Sequence, residues 1–304
     1  MTFPEFDPVL IHLGPLPIRW YALAYVAGIV LGWIYAARIL KTPRVWAPGK
    51  PPITGPQLDD LILWITLGII LGGRFGYALF YKPILFAQIF TGANLGERLE
   101  LLQLWTGGMS FHGGMLGCTA AVLIYAWRTK ANALSIGDMA LASAPIGLFF
   151  GRLANFVNGE LWGRTTDVPW AIRFCNARIE QMYGLCPAGN LPRHPSQLYE
   201  AGLEGLLLFS ILALAVWKFR LLSKPGYVTG LFLVGYGVIR ASLENVRQPD
   251  VGFDHLPFGL TMGMILSTPM ILVGAWLIWR AWKTPPVVAE DEPGSEPESE
   301  KVSA

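Results

Sequence analysis

Between Gly151 and Gly163 the chain reads GRLANFVNGELWG, which sets one arginine, two asparagines and a glutamate into and just beyond an apolar run long enough to enter a membrane. An arginine at mid-helix depth costs roughly 2.5 to 3.5 kcal/mol on insertion scales, so it persists where it faces protein or a wet cavity and has something to bind. At about 100° per residue, Arg152, Asn155 and Gly159 share one helix face, with the glycine leaving room for a ligand or a neighbouring helix. Two readings follow. Arg152 holds an anion at a membrane surface, or it pairs with a glutamate such as Glu160, Glu204 or Glu244 and joins helices. Further polar groups in apolar segments, Arg74, Arg240 and His112, exceed what helix packing needs and favour a ligand.

Tyr236, Arg240, Glu244 and Arg247 recur at spacings of four, four and three, which lays them along one face of one helix. Either Arg240 and Glu244 close on each other, or Glu244 orients Arg240 while the guanidinium holds an anion. His112, in SFHGGM, is the one histidine inside an apolar span; the glycines at 107, 108, 113 and 114 strip side chains from its surroundings and would let a substrate approach. Its imidazole suits proton transfer near neutral pH, with a packing role as the competing reading. Tyr21 and Tyr25 share a face, as interfacial anchors do. Glu200 and Glu204, four apart, are candidate buried partners of an arginine. The sequence holds no HExxH, G-x-S-x-G, Walker A loop or CxxC pair, so no metal or cofactor is expected and hydrolase and ATPase readings have no foothold.

The elements that must carry these residues are membrane helices. Of 304 residues, 53% are hydrophobic and 14% charged, too apolar for an ordinary soluble domain. The formal charge of +2 comes from scattered residues rather than a basic run, so no nucleic-acid partner is expected. The expected fold is an all-α polytopic membrane protein with about seven spans, each near the ~20 residues a hydrocarbon core requires. They are Tyr21 to Leu40, Leu61 to Tyr81, Gly107 to Trp127, Ile136 to Val157, Gln197 to Trp217, Val228 to Asn245 and Leu260 to Trp282. Lys41, Arg44 and Lys50, then Arg128 and Lys130, then Lys218, Arg220 and Lys224, and finally Lys283 follow alternate spans. By the positive-inside rule those loops are cytoplasmic, the N-terminus is outside, the C-terminus is cytoplasmic and the chemistry faces the periplasmic leaflet.

Met1 to Arg19 lacks a basic n-region and a small-residue cleavage site, so the first apolar run is expected to stay. The loop Lys82 to Leu104 has the mix of an amphipathic segment lying in the external interface. The loop of about 158 to 196, with its strand-like VPWAIRF, reads as a small periplasmic cap on a transmembrane domain of residues 1 to 284. Cys175 and Cys186 lie in that loop, where an oxidising compartment permits a disulfide, and Cys118 reads as core. The acidic, proline-rich stretch 285 to 304 is expected to be a disordered cytoplasmic tail.

The pattern G-R-x-[GA]-N-F-x-N-x-E-x-x-G is matched by Gly151, Arg152, Ala154, Asn155, Phe156, Asn158, Glu160 and Gly163. With FPEFDPV, RWYALAY, GGRFGYALFY, FHGGM, HPSQLYEA and the block from Tyr236 to Asp250, the chain resembles the bacterial prolipoprotein diacylglyceryl transferases over all but the tail. The resemblance implies an inner-membrane enzyme, acting as a monomer, that moves the diacylglyceryl group of phosphatidylglycerol to the lipobox cysteine of a prolipoprotein signal peptide. His112 would then take the thiol proton and Arg152 and Arg240 would hold the phosphate. Asn155, Asn158, Glu160, Gly163, Tyr21, Tyr236, Glu244 and Arg247 would line the lipid site. An anionic-lipid transporter or flippase is the competing class, for which paired broken helices in inverted halves would be the sign; none is visible.

Overall fold

The computed structural model describes residues 1–14, 16–46, 49–104, 107–248 and 260–284. The acidic tail and His255 lie outside the described residues. A hairpin of β1 (Val9–Leu13) and β2 (Leu16–Arg19) leads into α1 (Trp20–Leu40), α2 (Gly55–Phe80) and the short α3 (Ile84–Thr91). Then come α4 (Phe111–Thr129), α5 (Ala133–Asn158), α6 (Ala177–Tyr183), α7 (Ser196–Trp217), α8 (Tyr227–Leu243) and α9 (Met262–Lys283). Among the described residues α1, α2, α5, α7 and α9 are long and apolar enough to cross a membrane; α8 is shorter, at 17 residues.

The hairpin corrects the all-α expectation. Its antiparallel register pairs Ile11 with Ile18 and His12 with Pro17, and Gly14, at φ +61°, supplies the reversal that a side chain would resist. The span expected from Gly107 begins instead at Phe111, because Gly107 and Gly108 have φ of +81° and +76° and Ser110 caps the helix by accepting the Gly113 amide. The amphipathic loop forms α3 and a single turn at Leu95–Arg98.

The apolar core gathers at one end of the bundle: Ile39, Leu61, Tyr125, Ile136, Met139, Leu212, Val216 and Val228 pack there. The interhelical arginine–glutamate ion pairs lie towards the opposite end. Glycines set the closest helix contacts. A Cβ on Gly72 would lie 2.3 Å from the Gly113 carbonyl oxygen, and one on Gly68 2.5 Å from that of Gly117, so α2 and α4 touch backbone to backbone. Gly113 therefore serves this crossing, which corrects its reading as space for a substrate beside His112.

The loop between α5 and α7 folds on itself. Gly163, Thr165, Ile172 and Arg193 pair through isolated bridges rather than strands, over a small core of Phe3, Ile172, Phe174 and Ala188. Cys175 and Cys186 are disulfide-bonded with Cα atoms 5.4 Å apart. The N-terminal segment is stitched in by Phe3, whose ring lies 5.5 Å from Phe156 and 5.2 Å from Phe174. Asp7 and Arg178 join at 2.6 Å, and that guanidinium holds the Asp7 carboxyl below the usual carboxylate range.

Candidate active site

Arg152 lies two turns before the end of α5, and its guanidinium is enclosed by two carboxylates from α7. Nη1 meets Glu200 Oε2 at 2.7 Å, while Nε and Nη2 donate to Glu204 Oε2 at 3.1 and 2.9 Å. Both glutamates have no exposed surface. The helix that carries them departs from α geometry: Ala201–Leu207 is wound as a π-helix, a feature common at functional sites. Burying carboxylates at this depth costs several kcal/mol unless they are paired, and Arg152 supplies the pairing for both.

Glu200 also binds a second arginine. Its Oε1 accepts from Arg247 Nη1 at 2.7 Å. Arg247 Nε lies 3.8 Å from Glu244 Oε1, and the same oxygen accepts from Arg240 Nη1. A chain of alternating charge thus runs from Glu204 through Arg152, Glu200, Arg247 and Glu244 to Arg240. Tyr236, buried on α8, faces Arg152, Arg240, Glu200 and Glu204. Three arginines meet three glutamates, so the cluster is balanced before any ligand arrives.

The donors are not equally committed. Every nitrogen of Arg152 faces a carboxylate, whereas Arg240 uses Nη1 and its Nε and Nη2 make no hydrogen bond among the described residues. Glu244 is backed by Gly263 of α9, where a Cβ would come 2.3 Å from Oε1.

Beside this chain, Asn155 donates to Glu160 Oε1 at 2.8 Å, and Tyr21 faces both, with its hydroxyl 3.4 Å from that of Tyr25. The backbone after α5 is fixed from α7. Gln197 Nε2 donates to the Glu160 carbonyl at 2.6 Å and Ser196 Oγ to that of Leu161 at 3.0 Å. Leu161 itself sits at φ +57°, a conformation that leucine adopts only under constraint. Gly163 donates its amide to the His194 carbonyl at 2.9 Å and pairs with Arg247. Arg193 pins the same junction by donating to the Gly163 carbonyl and to Gln248, both at 3.1 Å. His194, half-buried, has its imidazole pushed below the ordinary histidine range by desolvation.

The structure therefore brings together Arg152, Asn155, Glu160, Tyr21, Tyr236, Arg240, Glu244 and Arg247, with Gly163 behind them. Several expectations change. Gly159 is not a helix-face residue: at φ +67° it ends α5 in the left-handed conformation. Arg247 does not continue the α8 face, because the helix stops at Leu243, Glu244 caps it, and Arg247 turns into the bridge with Gly163. Arg74, buried, donates to the backbone carbonyls of Glu100, Leu101, Gly107 and Gly108 and so holds the loop before α4. Its excess charge counted as a ligand signal in the sequence; in the fold it satisfies carbonyls.

His112 stands in the first turn of α4, partly exposed, with its ring 5.7 Å from Phe111; among the described residues it makes no hydrogen bond to the cluster. Asn158, the last residue of α5, makes no side-chain hydrogen bond among them either. No group of three His, Cys, Asp or Glu side chains among the described residues is arranged to hold a metal ion. Gln197 and Arg193 are the residues that sequence reasoning missed; a glutamine opening the apolar run after HPS was the available signal for the first, and it is fully buried in the fold.

The model of the prolipoprotein diacylglyceryl transferases matches residues 8–280, nearly the whole described bundle. The chain belongs to that family. It is 57% identical over 291 residues to the phosphatidylglycerol–prolipoprotein diacylglyceryl transferase of Phenylobacterium zucineum, covering 95% of this chain and 98% of that protein. The protein of the same name from Caulobacter vibrioides is 52% identical over 305 residues, covering 98% and 100%, and that of Rhodopseudomonas palustris 50% over 285 residues, covering 93% and 92%.

Proposed function

We propose that this chain transfers the diacylglyceryl group of phosphatidylglycerol to the cysteine thiol of a prolipoprotein, with the arginine–glutamate cluster as the phosphate site. The observation that supports the site assignment is that Arg152, Asn155 and Glu160 of the family motif meet Arg240, Glu244 and Arg247 at one end of the bundle. In this reading α4 and α8 also cross the membrane, making seven spans. The N-terminus is then outside, the C-terminus cytoplasmic, and the cluster faces the periplasmic leaflet of the inner membrane. The chain works as a monomer.

The reaction forms a bond from sulfur to a glycerol carbon and breaks that carbon's bond to the phosphate oxygen. Glycerol phosphate leaves with the bonding pair, and the thiol proton passes to a base. Arg240, with two uncommitted donors, receives the phosphate first; Arg152 stands behind it, locked on Glu200 and Glu204. Negative charge grows on the phosphate as the bond breaks, and fixed guanidinium charge in a site of low dielectric is worth more there than in water. Because the cluster is already balanced, the incoming phosphate must loosen one carboxylate, and the pair of Arg240 and Glu244, more exposed than that of Arg247 and Glu200, is the one that yields. His112 takes the thiol proton, raising the thiolate fraction of a group whose ordinary pKa is about 8.5. Asn155, Asn158, Glu160 and Tyr21 contact the headgroup.

The test is reconstitution in bilayers containing phosphatidylglycerol with a lipobox peptide, following glycerol phosphate release. Release that requires the peptide supports transfer. Free diacylglycerol without peptide would mark a phosphodiesterase, and movement of intact lipid between leaflets would mark a transporter.

A further inference from the structure

A carboxylate far from the cluster holds the two arginine-bearing helices together. Asp138, in the second turn of α5, has no exposed surface. Its Oδ2 accepts the Gly226 amide and its Oδ1 the Thr229 amide, each at 2.7 Å. These are the first amides of α8, which have no partner within their own helix. The residue at the cap position of α8 is Gly226, at φ +94°, and no side chain of its own segment caps it. The anion that a helix N-terminus calls for therefore comes from the neighbouring helix. The helices are in close approach here, since a Cβ on Gly137 would lie 3.3 Å from the Thr229 hydroxyl.

Asp138 is the only α5 side chain that hydrogen-bonds the α8 segment among the described residues, and no ion pair joins the two helices. The glycines of α8 at 230, 235 and 237 are turned to α9 and α7 rather than to α5, so they do not set its register on α5. Arg152 lies 14 positions beyond Asp138, and Arg240 lies 14 positions beyond Gly226. At 1.5 Å per residue each arginine stands about 21 Å along its helix from the shared contact. The helices run in the same direction, as Tyr236 facing Arg152 requires.

We propose that Asp138 is a positioning residue that sets the axial register of α8 on α5 and so brings Arg240 level with Arg152. The proposal rests on the reading that these two arginines act together. A slip of one residue would move Arg240 by about 1.5 Å, and a misplacement near 1 Å costs on the order of 100-fold in rate.

The experiment uses the full chain in lipid nanodiscs. Spin labels are placed at Val157 and at the exposed Val238, in a Cys118→Ser background, and the interlabel distance is measured beside kcat and KM. Asp138→Ala is expected to displace or broaden the distance distribution and to lower kcat about tenfold or more, with KM changed about threefold or less. If it does not fold, Asp138→Asn, which turns one acceptor into a donor facing an amide, is judged by the same readouts. An unchanged distance overturns the proposal, whatever the turnover. A displaced distance with wild-type turnover overturns it too. Were the wild type to show no transfer, the proposed activity would fail there, while the distance alone would still decide the register.

Discussion

Gly163→Ala is expected to separate the cap from the cluster. A Cβ at this position would lie 2.4 Å from the Val246 carbonyl oxygen, 2.7 Å from His194 Cβ and 2.8 Å from the His194 carbonyl oxygen. Ordinary contact begins near 3.4 Å, so Val246 must retreat by about 1 Å. Two of the three obstacles are backbone and cannot rotate away. Their carbonyls accept from Arg164 at 2.8 Å and from Gly163 at 2.9 Å, so both bonds are strained by the retreat. Overpacking of this kind costs roughly 1 to 3 kcal/mol, and each backbone bond lost about 1 kcal/mol more. The consequence for chemistry is larger than for stability. Arg247 follows Val246 directly and reaches Glu200 at 2.7 Å, so the shift drags it off the carboxylate it shares with Arg152. A displacement near 1 Å predicts about 100-fold lower turnover. The assay is peptide lipidation per folded molecule, with folding scored by size exclusion and melting. Activity within about threefold of wild type would refute the reasoning, because it would show that this junction does not hold Arg247.

Four further outcomes follow from the same structure. Arg152→Lys keeps the charge but loses the fork that spans Glu200 and Glu204; a broken buried pair costs about 3 to 5 kcal/mol, so lipidation should fall at least 100-fold and the melting temperature should drop. His112→Gln should lose most at low pH, where little thiolate forms unaided; a pH–rate profile parallel to wild type would place the proton elsewhere. Because the His194 imidazole titrates below its unfolded value, its contribution to cap stability is present above the ordinary histidine range and lost as the pH falls through the lowered value. Protection of the Gly163 and Arg164 amides, relative to the intrinsic exchange rate at each pH, should therefore fall on acidification, and His194→Gln should flatten that fall. Reducing the Cys175–Cys186 bridge should destabilise the cap by roughly 2 to 4 kcal/mol, read as earlier thermal release of the loop; an unchanged melt would show the loop is held by its bridges alone.

Much of this site could be read from residue types and spacing, because a charge in an apolar run carries a cost that demands a partner. Arg152, Arg240, Glu244 and the pair Glu200 and Glu204 announce themselves this way, and the apolar runs locate their helices within a few residues. What stayed hidden depends on groups the sequence does not pair. Arg74 looks like Arg152 in the chain, yet it spends its donors on backbone carbonyls of a distant loop. Gly113 beside His112 reads as space for a substrate until α2 fills that space. The spacing of Arg247 fits a helix face, but helix ends are weakly encoded, and α8 stops where Glu244 caps it. The β1–β2 hairpin escaped because two short strands are minor beside long apolar runs.

The central claim is that the cluster around Arg152 and Arg240 serves diacylglyceryl transfer. The most direct measurement is the mass of a lipobox peptide after incubation with the reconstituted protein and phosphatidylglycerol, for wild type and for Arg240→Ala. A diacylglyceryl mass gain on the cysteine peptide, absent with serine in its place and lost in Arg240→Ala, is the predicted result. An equal gain in Arg240→Ala would contradict the account, since the phosphate would then be held without the arginine assigned to receive it.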